Sequence, residues 1–253
     1  MTADPFSRLG VVLVRPKSPG NVGSVARAMK NMGFARLVLA NPMRFDDPGH
    51  FDAEAARMAW SAADLLAARR EEPTVQAALA PFTLVIGTTS APPTGFRTLG
   101  PVEAASEAAA HLRSSSGSSA ALLFGQEDIG LTSEQLARCH VLARIDASHA
   151  YPSLNLSHAA MLFLYETRRA LLNGAAPPGP SPGRKAPSQE RLEAFFGRME
   201  PWLAEIGFLQ GSSGAHMMRE LRRLFQRALL TERELAMLEG IVHQAGRASR
   251  GRG

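Results

Sequence analysis

The fold of this chain is decided by Leu122-Leu-Phe-Gly-Gln-Glu-Asp-Ile-Gly-Leu131, an apolar run at residues 141–145, and Tyr151-Pro-Ser-Leu-Asn-Leu156. Both halves contain a short apolar segment with the length of a buried strand, which stops at glycine or at small polar residues. In α/β proteins, strand ends of this kind present backbone donors and acceptors to a ligand. We therefore predict that the loops after these two strands hold a cofactor.

The segments around this stretch alternate between strands and helices. Strands are predicted at residues 9–14, 36–42, 82–89, 120–124 and 141–145. Helices are predicted at residues 20–33, 53–60, 74–80, 102–112 and 154–172. In the first helix, Asn21 is the expected N-cap and Gly33 the expected C-terminal stop. The alternation predicts an α/β fold with a mainly parallel sheet covered by helices on both faces.

Composition divides the chain into a large domain and a small one. Residues 175–187 contain five prolines and two glycines and are predicted to be a linker after an α/β domain at residues 1–174. Residues 188–253 form a predicted all-helical domain, with helices at residues 189–206, 215–230 and 232–245. Residues 184–253 carry 12 Lys and Arg against 8 Asp and Glu, which suggests an acidic partner.

Several classes of protein are disfavoured. No run of 18 apolar residues and no secretory signal order is present, so we expect a cytoplasmic protein without a membrane partner. The single cysteine, Cys139, agrees with a reducing compartment. The Gly20-Asn-Val-Gly23 loop lacks the dinucleotide spacing, no P-loop occurs, and the seven histidines show no metal-ligand spacing, so no bound metal is expected.

Five polar residues are candidates for chemistry, and each has a simpler alternative. Arg27 shares a helix face with Gly23, near the glycine loop, but solvated arginines are common. Glu127 can hold its own loop by accepting backbone N–H groups, or it can act as a base. Ser153 and Asn155 lie where helix capping is the ordinary role, as does Asn21. These patterns alone indicate a ligand-binding α/β domain.

Three segments resemble the ordered motifs of the SPOUT-class RNA 2′-O-ribose methyltransferases. They are Gly20-Asn-Val-Gly-Ser-Val-Ala-Arg-Ala-Met-Lys-Asn-Met-Gly33, Phe124-Gly-Gln-Glu-Asp-Ile-Gly-Leu131 and Ser153-Leu-Asn-Leu156. Within this class, Tyr151 and the tail segment Met218-Arg-Glu-Leu-Arg-Arg-Leu-Phe-Gln-Arg227 are similar to the bacterial tRNA cytidine/uridine methyltransferases. The likeness covers nearly the whole chain.

The resemblance implies a homodimer whose α/β domain ends in a trefoil knot that binds S-adenosylmethionine. General topology rules would have predicted no knot, because threaded chains are rare. The implied substrate is tRNA, at the pyrimidine of anticodon-loop position 32. Matched by position, the cofactor site would consist of Thr88, Thr89, Ser90, Gly125, Gln126, Gly130, Ile145, Pro152, Ser153 and Leu154.

The same resemblance assigns catalysis to Arg27, with Asn21, Glu127, Ser153 and Asn155 around the reaction centre. The sulfonium methyl group is already electrophilic, so the enzyme must mainly position a ribose hydroxyl and help it lose a proton. Two roles for Arg27 stay open at this point. It binds the neighbouring phosphate and stabilises the developing oxyanion, or it takes the proton itself after its pKa is perturbed.

The tail has an apolar stripe and a basic stripe on one predicted helix. We expect the basic stripe to bind RNA phosphates together with Arg27, although a merely solvated face is the alternative. The stripe consists of Arg219, Arg222, Arg223 and Arg227, and Arg247, Arg250 and Arg252 extend it as an expected disordered end.

Some positions depart from the family pattern, and other functions compete with the leading one. Gln126 stands where relatives often carry arginine, Pro152 where a small polar residue is usual, and residues 90–97 form an unusual loop. These departures put an RNA contact and the substrate choice in doubt. The rivals are methylation of another tRNA position or of ribosomal RNA, a non-catalytic RNA-binding protein and, more distantly, a nucleotide-dependent oxidoreductase.

Overall fold

The centre of the structure, a computed structural model that describes residues 4–42, 48–148, 150–172, 185–209 and 214–250, is one parallel sheet. Over these residues it contains seven strands in the order β3-β2-β1-β6-β4-β7-β5. Their bounds are β1 Leu9–Val14, β2 Arg36–Ala40, β3 Arg70–Glu72, β4 Leu84–Thr88, β5 Thr98–Leu99, β6 Ala120–Phe124 and β7 Val141–Ala143.

All five strands predicted from the sequence are confirmed, and two more are present. The additional strands, β3 and β5, are two or three residues long and lie at the two edges of the sheet. They carry charged or mixed residues, so they lack the apolar run that reveals a buried strand. Three predicted strands were too long at their carboxyl ends. The second ends at Ala40, because Asn41 adopts a positive φ of 47°, and the last ends at Ala143, before Ile145.

Helices cover both faces of the sheet, as the strand and helix alternation predicts. The helices of the α/β domain are α1 Pro19–Met32, α2 Pro48–Ala59, α3 Ala63–Ala67, α4 Val75–Leu79, α5 Pro101–Ser114, α6 Ser133–Leu136 and α7 Leu156–Leu172. Alternate residues of β1 contribute to the two cores, with Val11 under α1, α5 and α7 and Val12 under α4 and α6. No helix in the described part of the chain is long and apolar enough to cross a lipid bilayer.

Helix α1 starts earlier than the sequence suggested. Ser18 is the N-cap, its hydroxyl accepting the Asn21 N–H at 3.2 Å, and Pro19 occupies the first turn. The prediction of Asn21 as N-cap was therefore wrong, because a Ser-Pro pair is the stronger start signal. The predicted stop is confirmed, since Gly33 is the C-cap with a φ of 80°.

Three helices of the tail pack around their own aromatic core. They are α8 Gln189–Glu205, α9 Gly214–Ala228 and α10 Glu232–Arg250. Phe195, Phe196 and Phe225 form the centre, with ring centroids 5.5 to 6.0 Å apart. Because α10 continues to Arg250, much of the basic end that the sequence analysis expected to be disordered is helical. Arg252 and most of the predicted linker at residues 175–187 lie outside the described residues.

The tail is joined to the sheet through polar contacts at the start of α8. The backbone N–H of Gln189 donates to the carbonyl of Phe82 at 3.0 Å. The side-chain amide of Gln189 contacts His140, and it exchanges hydrogen bonds with Gln226 at 3.2 and 3.3 Å. His140 in turn accepts the Val85 N–H of β4 through Nδ1 at 2.9 Å. The tail therefore contacts His140, the residue that precedes β7.

We expect the free energy of unfolding to decrease at acidic pH because of the buried His140. Burial, with a smaller contribution from the charge of His111, lowers the pKa of His140 to about 3 from its ordinary value of 6.5. Above pH 6.5 the side chain is neutral in both states. Between pH 6.5 and about 3, His140 is protonated in the unfolded chain but stays neutral in the folded chain, so the free energy of unfolding falls as the pH is lowered. The loss at pH 5 is about 2 kcal/mol.

Urea unfolding at pH 7.5 and pH 5 measures this effect. His140→Asn is the informative variant, because its amide oxygen keeps an acceptor for the Val85 N–H but does not titrate. Its free energy of unfolding should drop less between the two pH values than that of the original chain. Equal drops in the two proteins would show that His140 does not control this part of the pH dependence.

Candidate functional site

The carboxyl ends of three adjacent strands carry most of the residues predicted to bind the cofactor. Strands β6, β4 and β7 are neighbours in the sheet. Thr88–Ser90 follow or end β4, residues 125–130 follow β6, and Ile145 comes shortly after β7. Parallel strands end at the same edge of a sheet, so the structure brings these loops together at the place where α/β proteins bind ligands.

The loop after β6 is a compact turn that requires glycine at two positions. A side chain on Gly125 would overlap the backbone of Gly130, and Gly130 itself has a φ of 66°. The Gly130 N–H donates to the Gln126 carbonyl at 2.8 Å and closes the turn. The side-chain amide of Gln126 donates to Asp128 at 2.8 Å. In this chain, the unusual glutamine therefore supports its own loop.

Glu127, in this turn, anchors the segment that connects β1 to α1. Its carboxylate accepts the backbone N–H groups of Lys17 and Ser18 at 2.9 and 3.1 Å, and the side-chain amide of Asn21 at 3.0 Å. Partial burial alone would raise the pKa of Glu127, but these three hydrogen bonds outweigh it and lower the pKa. A carboxylate that already accepts three donors is a poor base, and of the two roles considered, the geometry favours holding the loop.

Asn21 and Asn155 extend this anchor to the start of α7. Asn21 donates to Glu127, so its amide oxygen faces the other way and accepts Asn155 Nδ2 at 2.9 Å. The oxygen of Asn155 accepts the Ser157 N–H at 2.8 Å and therefore caps α7. The side-chain oxygen of Asn155 thus caps the helix, while its side-chain nitrogen bonds to Asn21 in the candidate site. The hydrogen bonds join all three motif segments.

Four of the five predicted catalytic residues surround one open cleft of about 530 Å³. The cleft also contains residues that the sequence analysis did not assign to the site. It is lined by Asn21, Glu127, Tyr151, Ser153, Leu154, Asn155, Leu156 and His158. The backbone N–H groups of Lys17, Ser18 and Ser157 donate hydrogen bonds to the residues that line the cleft. A backbone donor can belong to any residue type, so the sequence gives no sign of these three apart from the Ser-Pro start of α1. His158 follows Asn155 by one helical turn, which was the only hint available.

Arg27, the fifth predicted catalytic residue, does not line this cleft. It lies on α1 about 9 Å along the helix axis from Asn21, and its side chain is exposed. Within the described residues, it makes no hydrogen bond or ion pair. Gly23, on the same helix face, leaves no open space for the Arg27 side chain, because the backbone of Ala55 in α2 packs against it. Its guanidinium is therefore available to a ligand that reaches over the surface.

The tail arginines separate into two kinds. Arg219 and Arg227 are exposed. Arg222, predicted to bind RNA, pairs with Glu193 at 2.6 Å and stacks on Phe196 at 4.5 Å. Arg223, with the same predicted role, pairs with Glu220 at 2.6 Å and stacks on Phe96 at 4.2 Å. The helix thus offers fewer free guanidinium groups than its sequence suggests.

The remaining predicted cofactor residues use little of their side chains. The Thr88 hydroxyl donates to the Leu123 carbonyl at 3.0 Å and ties β4 to β6, and Thr89 Oγ1 accepts the Ala91 N–H at 3.2 Å. Pro152 is exposed. Among the residues that the structure describes, no group of histidine, cysteine and carboxylate side chains is arranged to hold a metal ion.

Comparison with known proteins gives matches over nearly the full length. The model of the SpoU rRNA methylase family matches residues 8–165, and the C-terminal domain model of the tRNA methyltransferase TrmJ matches residues 190–253. The chain is 36% identical to the tRNA (cytidine/uridine/adenosine-2′-O-)-methyltransferase TrmJ of Pseudomonas aeruginosa, over 97% of this chain and 96% of that protein. It is also 36% identical to the tRNA (cytidine/uridine-2′-O-)-methyltransferase TrmJ of Salmonella typhimurium, over 98% and 100%.

A solved structure extends the likeness to three dimensions. The crystal structure of TrmJ from Z. mobilis aligns with a TM-score of 0.78 and 28% sequence identity, covering 93% of this chain and 97% of that one. Both the sheet domain and the helical tail are therefore shared.

Proposed function

Because the chain belongs to the SpoU family of RNA methylases and to its TrmJ branch, we propose that it is an S-adenosylmethionine-dependent tRNA 2′-O-ribose methyltransferase. Its proposed target is the pyrimidine at position 32 of the anticodon loop, and its proposed location is the cytoplasm. The observation that carries this proposal is the hydrogen-bond chain from Glu127 through Asn21 to Asn155. It joins the three motif segments around one cleft beside the strand ends.

The strand ends fit the cofactor by their chemistry. The loop at residues 125–130 is compact, because a side chain on Gly125 would overlap the backbone of Gly130. The residues proposed to hold the cofactor are small, neutral or apolar, which suits a ligand with an adenine ring and a short polar tail. Thr88–Ser90, Gly125, Gln126, Gly130, Ile145, Pro152, Ser153 and Leu154 would hold it. When bound, S-adenosylmethionine supplies an electrophilic methyl group.

The residues of the chain position the ribose and favour loss of its proton. Asn21 and Asn155 have amides fixed at both ends, and they hold the walls of the cleft in place. The exposed Ser153 hydroxyl offers a hydrogen bond to the incoming nucleotide. The exposed guanidinium of Arg27 binds the phosphate beside the target ribose and stabilises the negative charge that develops on the 2′-oxygen. Electrostatic assistance is therefore its proposed role.

The order of the strands supports the proposed knot. Strand β7 pairs with β4 on one side, through Thr88 and Ala143, and with β5 on the other, through Thr98 and Leu142. The segment of residues 89–97 therefore passes from one side of β7 to the other. A loop that connects the two neighbours of β7 in this way can enclose the chain that continues from β7 toward α7.

An exposed apolar stripe on α7 supports the proposed homodimer. Leu162, Tyr165 and Leu172 are 42%, 48% and 60% exposed and lie on one face of the helix. Large apolar side chains aligned in this way are suited to a subunit interface.

RNA binding by the tail is proposed for Arg219 and Arg227. Replacing both with alanine should weaken tRNA binding about tenfold and reduce the slope of log affinity against log salt by roughly 2, because two phosphate contacts are lost. Arg198→Ala is the matched control, since this tail arginine is already paired with Glu239 at 2.6 Å. Filter binding at several salt concentrations measures both quantities. An unchanged slope in the double variant would remove α9 from the RNA interface.

Methyl transfer from labelled cofactor to unmodified tRNA tests the function directly. The modified nucleotide is mapped by the resistance of its ribose linkage to alkali, with cytidine, uridine and adenosine substrates compared. Transfer to ribosomal RNA alone would favour the rival substrate. If calorimetry detects no binding of S-adenosylmethionine, the chain is an RNA-binding protein and the enzymatic proposal fails.

A further inference from the structure

The tail touches the α/β domain at a second place, on the loop that follows β4. The guanidinium of Arg223 in α9 donates to the carbonyl of Thr94 at 2.9 Å and stacks on the ring of Phe96 at 4.2 Å. Between these two residues, Gly95 has a φ of 86°, and a side chain there would come within 2.8 Å of the guanidinium. One arginine thus contacts three consecutive residues of the loop.

This loop lies directly between the proposed cofactor residues and β5. It follows Thr88 and Thr89, starts with Ser90, and joins β4 on one side of β7 to β5 on the other. Few of its own contacts hold it. Among those the structure describes, the Phe96 N–H reaches the Pro93 carbonyl at 3.4 Å, a long hydrogen bond, and the Ala91 N–H reaches Thr89 Oγ1 at 3.2 Å. The end of the loop is also held by the α/β domain, because Arg97 pairs with Glu107 at 2.6 Å, its carbonyl accepts the Leu142 N–H at 3.0 Å, and Phe96 packs against the core under α4 and α6. The contact from Arg223 adds an anchor from the tail at Thr94 and Phe96.

Arg223 is suited to this task because its own helix is fixed. Glu220 pairs with its other nitrogen at 2.6 Å and orients the guanidinium. One residue earlier, Arg222 locks α9 to α8 through Glu193 at 2.6 Å, and Glu193 also pairs with Arg138 of the α/β domain at 3.0 Å. The helix cannot move freely relative to the sheet, so the position of Arg223 sets the position of the loop.

We propose that Arg223 is a positioning residue that holds the loop of residues 90–97 in the conformation required for cofactor binding, so that the tail completes the cofactor site. The inference rests on the proposed function, because it places S-adenosylmethionine at the ends of β4, β6 and β7. It replaces the RNA-binding role predicted for Arg223. Arg219 and Arg227, on the exposed side of the same helix, remain the proposed RNA contacts.

The test compares the full chain with Arg223→Ala, Arg223→Lys and the control Arg198→Ala, a tail arginine that is paired with Glu239 and has no proposed role in binding. The dissociation constant for S-adenosylmethionine is measured by calorimetry without RNA, and KM is measured for the cofactor and for tRNA. Loss of one charge-assisted hydrogen bond and its stacking should raise the cofactor constants about tenfold in Arg223→Ala. KM for tRNA should change little, and Arg223→Lys should recover part of the loss. Arg198→Ala should leave the constants for cofactor and for tRNA unchanged.

Two further readouts separate this role from a simple loss of stability. Hydrogen exchange of the Phe96 amide should accelerate in Arg223→Ala, whereas amides of β1 should keep their protection. If the variant merely unfolds in part, the calorimetric stoichiometry falls and the affinity of the folded fraction is retained, which would overturn the proposal. Normal cofactor affinity in a fully folded Arg223→Ala would overturn it as well. A chain without substitutions that binds no S-adenosylmethionine contradicts the proposed function instead, and the exchange experiment still reports on the loop.

Discussion

Arg27→Ala is expected to lower kcat for methyl transfer by about 100-fold or more, because the variant lacks the positive charge that we propose to oppose the negative charge developing on the ribose oxygen. Cofactor affinity should stay within about twofold, since the strand-end loops do not involve this side chain. The fold should also be unaffected, because Arg27 is exposed and makes no polar contact within the described residues. Steady-state kinetics and calorimetry measure the two effects separately.

Two variants control this experiment. Arg27→Lys keeps the positive charge but loses the planar fork, so it should retain part of the activity. Lys30→Ala removes a cation from the next turn of α1, where the ammonium group is already paired with Asp64 at 2.7 Å, and should behave like the original chain. Should Arg27→Ala methylate tRNA at the normal rate, the catalytic role of Arg27 is wrong.

Glu127→Gln is expected to reduce activity by a similar factor, through loss of geometry rather than of charge. A glutamine has one acceptor oxygen, and its NH2 group would face an N–H donor where the second carboxylate oxygen now stands. At least one of the three donors from Lys17, Ser18 and Asn21 then lacks a partner, which costs about 1–3 kcal/mol for a shielded group. Asn21 and Asn155 would lose their fixed orientation together.

The neighbouring acid provides the control for this prediction. Asp128→Asn changes one carboxylate in the same turn, but Asp128 is half exposed, and its side-chain partners among the described residues are Lys17 and Gln126. Its loss should leave kcat close to normal. The two variants are compared by kinetics and by thermal unfolding. Equal activity in Glu127→Gln and Asp128→Asn would mean that the anchor does not organise the reaction centre.

The order of secondary structure was largely readable from the sequence. The apolar runs that became β1, β2, β4, β6 and β7 are buried, so their hydrophobic pattern predicts them. The edge strands β3 and β5 were not predicted, because a short edge strand needs neither apolar residues nor a regular pattern. The N-cap of α1 is Ser18 and not the predicted Asn21, because both residue types can cap a helix and the proline at position 19 favours the earlier start.

The residues of the candidate site could be predicted from the sequence, but the hydrogen bonds between them could not. Motif order identified Asn21, Glu127 and Asn155, but their hydrogen bonds join positions 106 and 134 apart in the chain. The local sequence says nothing about such distances. For the same reason, Arg222 and Arg223 looked like a free basic stripe, although their partners Glu193, Phe196 and Phe96 lie on other elements.

By itself, the sequence determined which segments are strands and helices, the family to which the chain belongs, and the residues that can do chemistry. These properties depend on hydrophobic period, turn residues and short motifs, all of which are local. Only the tertiary structure decided that Glu127 accepts hydrogen bonds from the segment before α1, that the exposed Arg27 lies outside the cleft, and that Arg223 contacts the loop of residues 90–97. The physical reason is that burial and hydrogen-bond partners assign a polar side chain its role, and packing brings those partners from distant parts of the chain.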